Sequence, residues 1–195
     1  MSDQNDRTFA EFFAGIGLMR IGLERAGWQV SFANDIEKDK WQMYRDNFGD
    51  TGEFVVGDVH QLDAAKVPTV ALATASFPCN DLSLAGARRG LEGTQSSAFW
   101  GFMEVLTKMG SRRRPPLILL ENVTGFLTSN DGNDFRDALI ALNRLGYAVD
   151  ALIIDALRFL PQSRQRLFVV GIKTRQISTL NDSPRFYECD CRPAP

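Results

Sequence analysis

Two rhythms alternate along the chain. Short, near-continuous apolar runs give way to stretches in which apolar residues return every third or fourth position. The runs predict strands from Thr8 to Phe13, Gln29 to Ala33, Glu53 to Val56, Val70 to Ala75, Leu117 to Leu120, Ala148 to Ile154 and Arg166 to Ile172. The helical spacing predicts helices from Leu18 to Ala26, Lys38 to Phe48, Ser97 to Met109 and Asp134 to Leu145. Gly27, Gly49 and Gly146 stop three of them. Val70 to Ala75 shows little polar alternation, the pattern of a strand covered on both faces. Strands alternating with helices give an α/β fold, a mostly parallel sheet doubly wound by helices. Residues 1–7 read as a disordered N-terminus, 8–172 as one domain, and 173–195 as an irregular tail where the pattern fades.

Composition narrows the class without naming it. With 195 residues and 44% hydrophobic content, the chain suits one domain with a sizeable core. No apolar run is long enough to span a bilayer, and Met1-Ser-Asp-Gln-Asn-Asp6 is too polar for a secretory signal. Three cysteines make no disulfide framework, so the expected location is cytoplasmic. The net charge of −2 gives no overall support for nucleic-acid binding. Basic points are local: Arg88-Arg89, Arg112-Arg113-Arg114, Arg158, Arg164 and Arg166. The trio at 112–114 reads as a solvated helix end.

Ligands of such sheets bind beyond the carboxyl ends of the strands. The first strand opens into Phe13-Ala14-Gly15-Ile16-Gly17, the second ends at Asn34-Asp35, and the third at Gly57-Asp58. The glycines allow close backbone approach; one carboxylate suits the hydroxyls of a ribose, the other an adenine amino group. Each signal alone is weak, but together, after three separate strands, they describe an adenosine pocket. The turn lacks the third glycine of the dinucleotide fingerprint, so a pyrophosphate is not the obvious guest. Three more polar groups sit at strand ends: Pro78-Cys79, Glu121-Asn122, and Gln162-Ser163-Arg164-Gln165-Arg166 before the last strand. Singly, a packed cysteine, a solvated glutamate and surface arginines would explain them.

Jointly these stretches resemble the DNA (cytosine-5)-methyltransferase family. Phe13 to Gly17 is similar to its first motif, Phe77-Pro78-Cys79-Asn80 to its nucleophile motif, Glu121-Asn122-Val123 to its Glu-Asn-Val motif, and Gln162 to Arg166 to its Gln-x-Arg-x-Arg motif. The resemblance covers residues 8 to 172 and implies a class I methyltransferase fold of Rossmann-like form, with S-adenosyl-L-methionine as methyl donor. It implies that Phe13 stacks on the adenine, Asp35 holds the ribose, Asp58 binds the adenine amino group, and Ile36 and Val59 line the ring faces. The backbone from Ala14 through Ile16 to Gly17 meets the methionine end, and Pro78 serves cofactor and nucleophile alike. Cys79 is the implied nucleophile at cytosine C6. The resemblance further implies that Glu121 acts on N3 and the exocyclic amine, that Arg164 reaches O2 and helps hold Glu121, that Asn122 fixes the local backbone, and that Arg166 supports structure or phosphate.

The implied substrate is double-stranded DNA with the target base flipped out. Ser83, Arg88 and Arg89 then give the segment from Asn80 to Ser97 a task, closing over the base and touching phosphates. Asn80 replaces the family's usual glutamine, and Leu18 replaces the second glycine after the first motif. Nothing matches the family's target-recognition region or its late motif, which leaves a truncated enzyme, or a split one completed by a second polypeptide. An RNA (tRNA) cytosine methyltransferase and a non-catalytic partner subunit are the competing readings. Cys189-Asp-Cys191 is too sparse for a metal site, and no metal is expected.

Overall fold

The computed structural model describes residues 7–78 and 98–174. Cys79, Asn80, Ser83, Arg88, Arg89 and most of the 173–195 tail lie outside the described residues. Within them a seven-stranded sheet has the order β3-β2-β1-β4-β5-β7-β6. Its strands are β1 (Thr8–Phe12), β2 (Gln29–Asp35), β3 (Phe54–Val56), β4 (Leu72–Ala75), β5 (Leu117–Val123), β6 (Tyr147–Asp155) and β7 (Gln165–Lys173). Four helices flank them: α1 (Leu18–Arg25), α2 (Lys38–Phe48), α3 (Ala98–Arg113) and α4 (Asn133–Arg144). The chain is therefore the α/β sheet expected, parallel from β3 through β5. Only β7 breaks the pattern, running antiparallel to both neighbours.

Most strand ends lie within two residues of the periodicity, and two carboxyl ends run two or three residues past it, for one reason. β5 continues past Leu120 because β7 keeps pairing with it, Glu121 opposite Phe168, Asn122 opposite Leu167 and Val123 opposite Arg166. β2 continues to Asp35 because β3 pairs with it there. In α3 the backbone leaves helical geometry at Gly110 (φ 69°), one residue after the predicted end.

The main core lies between the sheet and α3 and α4. Phe12 packs against Phe32 and Phe102, and Phe77 against Phe99 and Phe126. Burial of these rings and their aliphatic neighbours supplies the principal stabilisation, at about 25 cal/mol per Å² of apolar surface. A smaller cluster of Ala14, Ala33 and Tyr44, with Phe48 and Phe54, fills the other side of the sheet at β1–β3.

Arg113 and Arg114 are not a solvated helix end. Arg113 donates to the carbonyls of Ala64 (3.1 Å), Ala65 (3.3 Å) and Val67, and Arg114 to those of Leu106 (3.0 Å) and Leu145 (2.8 Å). Loops and helix ends leave carbonyls without partners, and the guanidinium forks satisfy them.

Candidate active site

β1 delivers the chain into the glycine turn at the carboxyl edge of the sheet. Phe13 (φ 57°) and Gly15 (φ 57°) turn the backbone sharply, and a Cβ built on Gly15 meets nothing within 4 Å. Gly17 is different. Its Cβ would lie 2.3 Å from the Phe48 ring and 3.0 Å from Tyr44, so its missing side chain serves the packing of α2 against the turn. Both glycines were expected to admit a ligand; only Gly15 faces open space.

Asp35 is buried and ties the turn down. Its Oδ2 accepts the Gly15 N–H at 2.8 Å, its Oδ1 accepts the Glu37 N–H at 2.9 Å, and Lys40 stands 3.6 Å from Oδ1. A carboxylate offers about four lone-pair sites, so capacity remains for a further donor. Next to Asp35, Ile36 is exposed at the mouth of the turn, as are Ile16 and, at the start of α1, Leu18. Asp58, half-buried, accepts the His60 N–H at 3.0 Å. Val59 turns inward and is buried in the main core. Phe13 is partly buried against that core, and Ala14 is buried on the opposite side of the sheet.

The second half of the site gathers at the carboxyl end of β5. Glu121 Oε1 lies 3.0 Å from Arg166 Nε, with both side chains about three-quarters buried (24% and 21% exposed). Arg166, expected to support structure or phosphate, is thus the partner of Glu121. The Arg164 main chain, on the exposed connection between β6 and β7, donates its N–H to Asp155 at 2.8 Å. The reason is register: Arg166 sits opposite Val123, level with the end of β5. Asn122, also buried, donates from its side chain to the Phe77 carbonyl at 3.1 Å and accepts the Val123 N–H at 2.8 Å. It fixes the backbone that leads into exposed Pro78 and, one residue later, Cys79. Glu121 and Asn122 line a narrow crease with Phe77, Phe126 and Leu167.

A family model described as C-5 cytosine-specific DNA methylase matches residues 7–188, nearly the whole chain. The chain belongs to that family. The type II methyltransferase M.NgoBI of Neisseria gonorrhoeae is 36% identical over 162 residues, which make up 83% of this chain and 49% of that one. M.DsaV of Dactylococcopsis salina is 36% identical over 173 residues, 88% of this chain and 47% of that protein. The crystal structure of the S. pombe Dnmt2 methyltransferase superposes with a TM-score of 0.68 at 25% identity, covering 86% of this chain and 50% of that one. This member of the C-5 cytosine-specific DNA methylase family thus spans about half the length of the relatives it matches. No helix among its described residues is long and apolar enough to cross a membrane.

Two residues of this methylase-family domain escaped the sequence reading. Glu11, mid-strand in β1, is 2% exposed, and its Oε2 has no partner among the described residues. Burial raises its pKa to about 8, although Arg20 pulls in the other direction. Thr74, its register partner on β4, has a buried hydroxyl with no partner either. Arg20, also buried, binds Glu24 (2.8 Å), Tyr44 (3.0 Å) and Glu53 (2.7 Å) and stacks 4.2 Å from the Phe48 ring centre. A charge inside an apolar run was the available signal for Glu11. Arg20 gave none, because an arginine in an amphipathic helix usually faces water.

Proposed function

We propose that this chain is the catalytic part of an S-adenosyl-L-methionine-dependent enzyme that methylates C5 of a cytosine flipped out of double-stranded DNA. One observation carries the reading. Arg166 of β7 stands 3.0 Å from Glu121, on the strand β5 whose Asn122 anchors the Phe77 carbonyl, two residues before Cys79. An acid, its orienting cation and the backbone that leads toward Cys79 therefore meet at one sheet edge.

The turn fits the donor. Open space above Gly15, the half-buried Phe13 ring, exposed Ile36, and the carboxylates of Asp35 and Asp58 lie at the ends of three adjacent strands. Asp35 and Asp58 hold the ribose and adenine amino group, Phe13 and Ile36 contact the ring, and the backbone of Ala14 to Gly17 approaches the methionine end. When bound, S-adenosylmethionine would supply an electrophilic methyl on a sulfonium, the sulfur keeping the bond pair as a neutral thioether. Val59 supports Asp58 from within the core.

The chain's own groups make the cytosine reactive. The Cys79 thiolate adds to C6, and the C5–C6 π electrons move to C5, which becomes nucleophilic enough to take up the methyl. Glu121, oriented by Arg166, meets N3 and the exocyclic amine where charge develops in the ring. Arg164 reaches the cytosine O2 from the exposed connection. A base, for which water suffices, then removes the C5 proton, and the electrons of that bond expel Cys79 and restore the ring. Asn80, Ser83, Arg88 and Arg89 close over the flipped base and its phosphates. Sequence-specific reading of the duplex belongs to further polypeptide, on this chain or a second one.

The test is tritium transfer from labelled S-adenosylmethionine to duplex DNA, with total RNA and boiled protein in parallel. Cys79→Ser is expected to abolish transfer while thermal unfolding stays unchanged. Turnover in that variant would remove the mechanism, and label confined to RNA would move the substrate to RNA.

A further inference from the structure

The connection between β6 and β7 rises from the level of the Glu121–Arg166 pair, since Arg166 lies opposite both Val123 and Ile154. It is closed on itself. Asp155 accepts the N–H groups of Leu157 (3.0 Å) and Arg164 (2.8 Å) and the Ser163 hydroxyl (3.3 Å). The Arg164 carbonyl accepts Ala156 N–H at 3.1 Å, and the Ala156 carbonyl accepts both Phe159 and Leu160 N–H at 2.8 Å. This small built structure buries nothing. Instead it holds Leu157 60%, Phe159 75% and Leu160 59% exposed.

Charge distinguishes what would cover it. Residues 156–166 carry three arginines and no carboxylate, in a chain whose net charge is −2. Arg166 is engaged by Glu121, which leaves Arg158 and Arg164 exposed among the apolar side chains. Arginines and aromatic rings serve protein–protein contacts as well, but a patch of one sign, with no carboxylate from 156 to 166, matches a polyanion. An aromatic ring interleaved with arginines suits stacked bases and phosphates.

We propose that this connection is a nucleic-acid contact, in which Phe159 stacks on a base beside the target, Leu157 and Leu160 flank it, and Arg158 meets the backbone phosphate. The inference deepens the proposed function and takes its location from that reading. Binding nevertheless tests it separately from the reaction.

The experiment measures fluorescence anisotropy of a fluorescein-labelled mixed-sequence duplex, and of its single strand, with the full chain. Phe159→Ala is expected to weaken binding to at least one of them by about tenfold, and Phe159→Trp to restore it. Arg158→Ala is expected to lower the slope of log affinity against log salt by about one. Because both side chains are exposed, unchanged thermal melts will show that the fold is retained. Equal affinity of Phe159→Ala and the unaltered chain for both probes would overturn the proposal, as would no binding of either probe by the unaltered chain. Concentration-dependent self-association lost in Phe159→Ala, with oligonucleotide affinity unmoved, would assign the ridge to a polypeptide instead. Weakened binding in a chain that transfers no methyl group to any nucleic acid would retain the contact and remove the reaction. Methyl transfer with unmoved affinity would do the reverse.

Discussion

Replacing Glu11 by Gln should stabilise the protein, and increasingly so as the pH rises. Glu11 is 2% exposed and its pKa is raised from 4.5 to about 8, chiefly by burial. Below pH 4.5 the folded and unfolded chains both hold the proton, and nothing is lost. Between pH 4.5 and 8 the unfolded carboxyl ionises while the folded one stays neutral, so stability falls with rising pH. The slope for one proton is about 1.4 kcal/mol per pH unit, which amounts to roughly 3–4 kcal/mol between pH 5 and 8. Gln keeps the size of the side chain, cannot ionise, and offers an amide donor beside the unpartnered Thr74 hydroxyl. Urea unfolding of both proteins at pH 5, 6, 7 and 8 isolates the effect, because every other titrating group cancels in the difference. The difference should be small at pH 5 and grow to a few kcal/mol at pH 8, with an unchanged m-value. A pH-independent difference would refute the reasoning, because the carboxyl would then titrate alike in both states.

Two further substitutions test the site's construction. Gly17→Ala should destabilise by about 2–4 kcal/mol, from a positive φ of 85° and a Cβ 2.3 Å from Phe48, read as a shift in the urea midpoint; an unshifted midpoint would mean that α2 yields freely. Arg166→Gln should lower single-turnover methyl transfer by about a hundredfold while calorimetric S-adenosylmethionine affinity is kept, since it removes the cation at Glu121 and touches nothing in the glycine turn. Loss of donor affinity in step with rate would show that Arg166 acts through the whole sheet edge.

Much of this was legible in the sequence, and what was not has physical causes. Apolar runs located every strand among the described residues, because a sheet covered by helices leaves little polar alternation to confuse the reading. Asp35 and Asp58 stood out because strand ends are where such folds place ligands, and Asp35 does stand against the glycine turn. The division of labour between Gly15 and Gly17 was not legible, since one faces open space and the other an α2 ring some thirty positions along the chain. The partner of Glu121 was likewise hidden: Arg164 and Arg166 differ by two positions, and only register decides which stands beside the carboxylate. Arg113 and Arg114 look solvated in sequence because the carbonyls they satisfy come from distant segments.

The direction of β7 ties these observations together. A motif that precedes a strand and a motif that ends one lie at opposite edges of a sheet when the strands are parallel. Gln162 to Arg166 lead into β7 and supply its first two residues, and Glu121-Asn122-Val123 close β5. In an all-parallel sheet they would be separated by the length of a strand, about 3.3 Å for each residue. Because β7 runs antiparallel to β5, its entry lies at the carboxyl edge, and Arg166 arrives opposite Val123 within reach of Glu121. The same reversal throws the β6–β7 connection over that edge and carries Arg158, Phe159 and Arg164 with it. One antiparallel strand in an otherwise parallel half-sheet therefore assembles the acid–cation pair and sets an exposed aromatic ridge beside it. Strand direction, which periodicity leaves undetermined, decides whether these residues form one site or two unrelated ends.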